Sequence, residues 1–150
     1  MNSKPGPLES SWLLTPKVHG DSRGQFVESF QKDVFAEQTG LSIDFIQDNE
    51  VVSEHGVVRG LHLQKNPHAQ AKLIRVVQGQ IYDVAVDLRA DSSTYGEWFG
   101  VELSADNQIQ LFLPKGFAHG YSVLSERAIV QYKVDAPYNP NSESGIRFDD

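Results

Sequence analysis

The residues of this chain with the strongest chemical potential are His62, His119, Lys72, Tyr132 and a local run of cations. His62 closes Arg59-Gly60-Leu61-His62, and His119 closes Pro114-Lys115-Gly116-Phe117-Ala118-His119. A neutral imidazole, with an ordinary pKa of about 6.5, is suited to taking a proton from a weak carbon acid at neutral pH. A phenol such as Tyr132 is a competent donor back to a carbanion. Arg59, Lys65, Lys72 and Arg75 lie within one short stretch, although the chain carries a formal charge of −7. That balance argues against a nucleic-acid surface, which needs a broad basic face, and for a small anionic ligand. A metal centre would need closely spaced histidines with a carboxylate among them. Here His62 is followed by Leu63 and Gln64, and the next histidine is His68, so the spacing is irregular. The absence of cysteine removes disulfides, thiolate zinc sites and a cysteine nucleophile.

The elements that must carry these residues are mostly strands. Residues 25–30 read as a strand, and 31–38, closed by Gly40, as the one convincing helix, after a start expected to be frayed. From Ile43 onward the hydrophobic period falls to two, giving eight short strands over 43–46, 56–64, 72–78, 80–88, 100–103, 109–113, 121–124 and 128–134. Turn chemistry such as Gln78-Gly79-Gln80 and Pro114-Lys115-Gly116 separates them, which predicts an all-β sandwich or barrel. Alternation puts Tyr132 on the apolar side with Val130 and Val134, pointing inward. Strict alternation would place Arg59 and His62 on opposite faces, so a shared site requires a bend, for which Gly60 is the place. At 150 residues, with no linker or repeat, the chain reads as a single domain, 1–150. Neither a signal-peptide run nor eighteen consecutive apolar residues occurs, so no membrane contact and a cytoplasmic protein are expected.

Taken together, these stretches resemble one family closely, the dTDP-4-dehydrorhamnose 3,5-epimerases. The resemblance rests on Gln47-Asp48-Asn49, on 56–64 with its Arg-Gly-Leu-His, on Asp83-Val84-Ala85-Val86-Asp87-Leu88-Arg89 with Ser93-Thr94-Tyr95-Gly96, and on Leu113 through Tyr121 with its Gly-Phe-Ala-His-Gly. Gln70 to Leu73 and Tyr132-Lys133 extend it from about Gly24 to Asp149. Pro114 to His119 also fits the second cupin signature. The resemblance implies a cupin-type jelly roll, working as a homodimer without metal or organic cofactor. The expected ligand is a nucleotide diphosphate sugar, lying in the barrel mouth with part of the nucleotide pocket supplied by the partner chain. It implies that His62 is the base, Tyr132 the acid and Lys72 the group near the enolate oxygen. Arg59 and Arg23 become candidates for the diphosphate, since a guanidinium fork grips phosphate oxygens. Phe26, Glu28, Gln47 and Asn49 match positions framing base and sugar, His119 lies beside the sugar, and Tyr138 packs on the nucleotide.

Two departures qualify the match. In the family the histidine base is held by an aspartate in a Leu-Ser-x-Lys-Asp segment, and this sequence ends at Asp150 before such a segment. Another carboxylate orienting His62, a weakened base and a specialised protein are the open alternatives. Val51 stands where relatives usually carry serine, which bears on substrate preference. The readings in competition are a C3/C5 epimerase of a dTDP-4-keto-6-deoxyhexose, a single-centre epimerase of a related nucleotide sugar, a non-catalytic sugar-nucleotide-binding cupin and a metal cupin.

Overall fold

The computed structural model describes all residues, 1–150. Alternation of inward apolar and outward polar side chains builds two antiparallel sheets that face one another. The six-stranded sheet holds β1 (Asn2–Pro5), β2 (Trp12–Thr15), β5 (Gln47–Glu54), β7 (Lys72–Gln78), β10 (Gln110–Leu113) and β12 (Arg127–Val134), in the order β1-β2-β10-β7-β12-β5. The five-stranded sheet holds β6 (Val58–Gln64), β8 (Gln80–Asp87), β9 (Trp98–Ser104), β11 (Phe117–Val123) and β13 (Glu143–Gly145), in the order β13-β6-β11-β8-β9. This is the cupin jelly roll. A separate hairpin, β3 (Val18–Asp21) with β4 (Gly24–Val27), pairs only with itself. Between the sheets Ile74, Val76, Leu111 and Val130 meet Ile81, Ala85, Leu103 and Val123, all essentially inaccessible. Complete burial of each large aliphatic side chain stabilises by about 1.5–3 kcal/mol.

Helix α1 (Lys32–Thr39) closes the outer face of the six-stranded sheet. Gln31 caps its N-terminus, accepting from the Val34 amide at 2.5 Å, and Gly40 ends it at φ 72°, a left-handed conformation that favours glycine. Phe35 packs edge-on against Phe45 and Phe112, at centroid distances of 5.8 and 5.3 Å. That packing corrects the strand expected over 43–46: Ile43 and Phe45 face the helix, and only Ile46 hydrogen-bonds to the sheet, through its amide to the Val134 carbonyl at 2.9 Å. The expected frayed start is corrected too. β1 pairs with β2 from Asn2↔Thr15 to Pro5↔Trp12, and Ser3 Oγ donates to the Gln38 carbonyl at 3.0 Å.

Asp87, fully buried, is a fixed point of the β8–β9 end. It accepts from Arg89 Nε and Nη2 at 2.9 and 2.7 Å, from Ser92 Oγ at 2.6 Å and from Thr94 Oγ1 at 2.7 Å. Burial pushes its pKa up, but the Arg89 side chain, Ser92, the Arg89 amide and Thr94 together pull it down further, to well below the usual carboxylate range. Asp87→Asn is expected to cost about 3 kcal/mol in denaturant unfolding, because Arg89 loses its partner. The wild-type contribution is complete above the unfolded pKa of about 3.9 and is lost as pH falls through the lower folded value. Unfolding midpoints equal in the two proteins at pH 7 would refute this. No helix is long and apolar enough to cross a membrane.

Candidate active site

Between the sheets at one end lies a cleft of about 620 Å³, and the sequence builds its two walls differently. On one wall, β6 bends at Gly60, whose φ is +96°. A Cβ there would lie 2.5 Å from the His119 carbonyl oxygen and one at Gly120 2.4 Å from the Arg59 carbonyl oxygen, so the β6 and β11 backbones touch where neither has a side chain. Pairing of β11 with β6 shifts register between His119 and Tyr121, setting His119 opposite His62 and Tyr121 opposite Arg59. The bend expected at Gly60 is therefore present, and Arg59 and His62 line the same cleft. The other wall belongs to the six-stranded sheet, from which Gln47, Asn49, Lys72 and Tyr132 face inward. β5 escaped the reading of periodicity because its inward positions Gln47, Asn49 and Ser53 are polar.

His62 is largely exposed, with Nδ1 3.4 Å from Glu143 Oε1. The second Glu143 oxygen accepts from the Tyr138 hydroxyl at 2.5 Å, and this hydrogen bond, ahead of burial, raises the Tyr138 pKa. Glu143 carries no signal in the sequence because its strand is three residues, Glu-Ser-Gly, with no apolar side chain; only its pairing with β6, Gly145↔His62 and Glu143↔Gln64, brings it to the histidine. Burial pushes the Lys72 ammonium pKa down, against which Asp83 and Glu143 favour the charged form. Burial raises the Tyr132 phenol pKa, with Arg59 opposing. Tyr132 points inward as expected and packs against the core between the buried Val130 and Val134. His119 Nε2 lies 3.0 and 2.9 Å from the two oxygens of Asp83. Arg59 Nε donates to Ser53 Oγ at 2.9 Å, and Gln47 Nε2 donates to Asn49 Oδ1 at 2.8 Å.

Not every expected residue joins this cleft. Lys65 and Arg75 do not line it; alternation turns Arg75 to the outer face of its sheet, where it borders a separate depression with Gln110 and Lys133. Arg23 and Phe26 belong to the β3–β4 hairpin, which forms a depression of its own. There Asp21 Oδ2 holds Arg23 Nη2 at 2.6 Å, and Phe26 stands 67% exposed. Glu28, just beyond the hairpin, is exposed and outside the cleft. No three histidine, aspartate or glutamate side chains converge as a metal would require.

A base on one wall and a phenol with an ammonium on the other can remove a proton from one face of a flat ligand and return it to the opposite face. The chain matches the dTDP-4-dehydrorhamnose 3,5-epimerase family over residues 5–150. A dTDP-4-dehydrorhamnose 3,5-epimerase of Methanothermobacter thermautotrophicus is 50% identical over 143 residues, 95% of this chain and 76% of that protein. A dTDP-4-dehydrorhamnose 3-epimerase of Streptomyces niveus is 38% identical over 97% of this chain and 70% of its own length. The crystal structure of a dTDP-6-deoxy-D-glucose-3,5-epimerase of Legionella pneumophila, in complex with dTDP-4-keto-L-rhamnose, superposes with a TM-score of 0.94 at 44% identity, covering 98% of this chain and 78% of that one.

Proposed function

The chain belongs to the dTDP-4-dehydrorhamnose 3,5-epimerase family, and from that membership we propose that it inverts C3 and C5 of a dTDP-4-keto-6-deoxyhexose through an enolate, without metal or organic cofactor. The observation that carries this reading is the division of labour between walls, with His62 on one sheet and Tyr132 and Lys72 on the other.

A ketone at C4 acidifies the hydrogens at C3 and C5. His62, with Nδ1 turned to Glu143, offers Nε2 as the base. As the C–H bond breaks, its electron pair moves into the ring and onto O4, where the Lys72 ammonium faces the developing charge. The Tyr132 hydroxyl gives a proton to the other face of the carbon, and the centre is inverted. Glu143, with Oε1 3.4 Å from Nδ1, is the carboxylate placed to orient His62.

Arg59 serves the diphosphate and Tyr138 the nucleotide base, while Gln47, Asn49 and His119 frame base and sugar. Arg23, Phe26 and Glu28 cannot serve the cleft of their own chain, which supports a homodimer whose hairpins reach the partner's cleft. A 67% exposed phenylalanine on a hairpin paired only with itself is what such an arm requires. The 38% identical 3-epimerase makes inversion of C3 alone the reading in competition.

Incubation with dTDP-4-keto-6-deoxyglucose in heavy water tests the proposal. Deuterium is expected at both C3 and C5, together with the doubly inverted sugar, and a chelator should change neither. Exchange confined to C3 would favour the single-centre enzyme. No exchange above the buffer rate would leave a binding protein, and activity lost on chelation would make it a metal enzyme.

A further inference from the structure

Two carboxylates in this chain are wholly buried, Asp83 and Asp87. Asp87 is engaged by Arg89, two hydroxyls and a backbone amide. Asp83 has no arginine and no hydroxyl: its side chain meets His119 Nε2 alone, through both oxygens at 2.9 and 3.0 Å. A buried charge pair seldom outdoes an apolar pair of the same volume in stability, so packing alone does not account for an aspartate at this position. Its surroundings do. Asp83 lies on the inward face of β8, in register with Tyr121 on β11, and His119 stands two residues before Tyr121 on that strand, opposite His62. His119 is itself 8% exposed and lines the cleft, and its Nδ1 makes no hydrogen bond within the chain.

We propose that Asp83 is a positioning residue of the epimerase reaction: by accepting Nε2–H it fixes the His119 tautomer whose Nδ1 is a hydrogen-bond acceptor, and this nitrogen seats a hydroxyl of the sugar so that the ketone oxygen rests on Lys72. The inference depends on the epimerase reading for its substrate, but the clamp itself is a property of the chain alone. A neutral imidazole has one donor and one acceptor, and the bond made at one nitrogen decides the role of the other. With a carboxylate, which only accepts, the assignment is single. An amide at the same place could accept through its oxygen or donate through its nitrogen, and both tautomers would be populated. Asp83 also lies near enough to Lys72 to favour its ammonium, which burial disfavours.

Two measurements decide the matter. Nitrogen-15 spectra of the imidazoles in the unmodified protein at neutral pH should show His119 as the Nε2–H tautomer with an unprotonated Nδ1; an Nδ1–H tautomer overturns the proposal without any variant. Asp83→Asn should bind dTDP within about two-fold of wild type, show mixed His119 tautomers and exchange C3 and C5 hydrogens about 10²-fold more slowly in kcat. A variant that loses melting temperature yet keeps the wild-type kcat would make Asp83 merely structural and sink the idea. If the unmodified protein shows the expected tautomer but no exchange on dTDP-4-keto-6-deoxyglucose, the clamp stands and the functional reading fails, so the two failures are separable.

Discussion

His62→Asn is expected to abolish deuterium exchange at both C3 and C5 while leaving dTDP affinity within about two-fold. Asparagine fills similar space but carries no basic nitrogen. A positioned general base is worth about 10²–10⁴-fold, so the loss should reach that range. Binding should survive because His62 is 59% exposed at its side chain and supports no core packing. Single-turnover exchange followed by NMR, with calorimetry for dTDP, separates the two effects. A loss under about 10-fold would move the base elsewhere, and His119, set opposite His62 on the neighbouring strand, is where it would be sought. Glu143→Gln should give an intermediate loss, since it leaves the imidazole in place but removes the carboxylate 3.4 Å from Nδ1.

Tyr132→Phe is expected to split the reaction rather than stop it. The ring remains against the core, so the fold and nucleotide binding should be kept, and His62 should still wash deuterium into the substrate. Delivery of a proton to the opposite face at C5 should fall by about 10²-fold or more. Because burial raises the phenol pKa above its usual value near 10, the wild-type hydroxyl stays protonated throughout the neutral range, as a resting acid must. Reducing the ketone and reading the C5 configuration by NMR is the check. Inversion of C5 at the wild-type rate by this variant would exclude Tyr132 from the mechanism.

Much of this was legible in the sequence, and the exceptions share a cause. Strands with a largely apolar inward face, such as β7 and β12, announce themselves by alternation, and so does the inward direction of Tyr132. β5 and β13 did not, because the side chains they turn inward or toward β6 are polar and serve the cleft. Glu143 was invisible for a related reason: nothing local distinguishes it, and only the pairing of Gly145 with His62, eighty-odd positions earlier in the chain, gives it a role. The run Arg59, Lys65, Lys72 and Arg75 is misleading by proximity, since two of its four charges do not line the cleft. Phe26 and Glu28 were singled out through resemblance, and within one chain they stand apart from the residues they were expected to join.

The close backbone approaches at Gly60, Gly120 and Gly145 have a consequence for how this protein can change over generations. At each of these glycines a Cβ would come within 2.4–2.5 Å of a carbonyl oxygen on a neighbouring strand, so nearly any substitution forces β13, β6 and β11 apart and with them His62 from His119. The wall bearing the base is closed to variation. The opposite wall is open only along its β5 edge, away from Lys72 and Tyr132: Gln47, Asn49 and Val51 project into the cleft from β5, an edge strand with a neighbour on one side only. New substrate preferences should therefore arise by drift along β5 while the glycine seam stays fixed, and libraries built to alter specificity will find their viable members there.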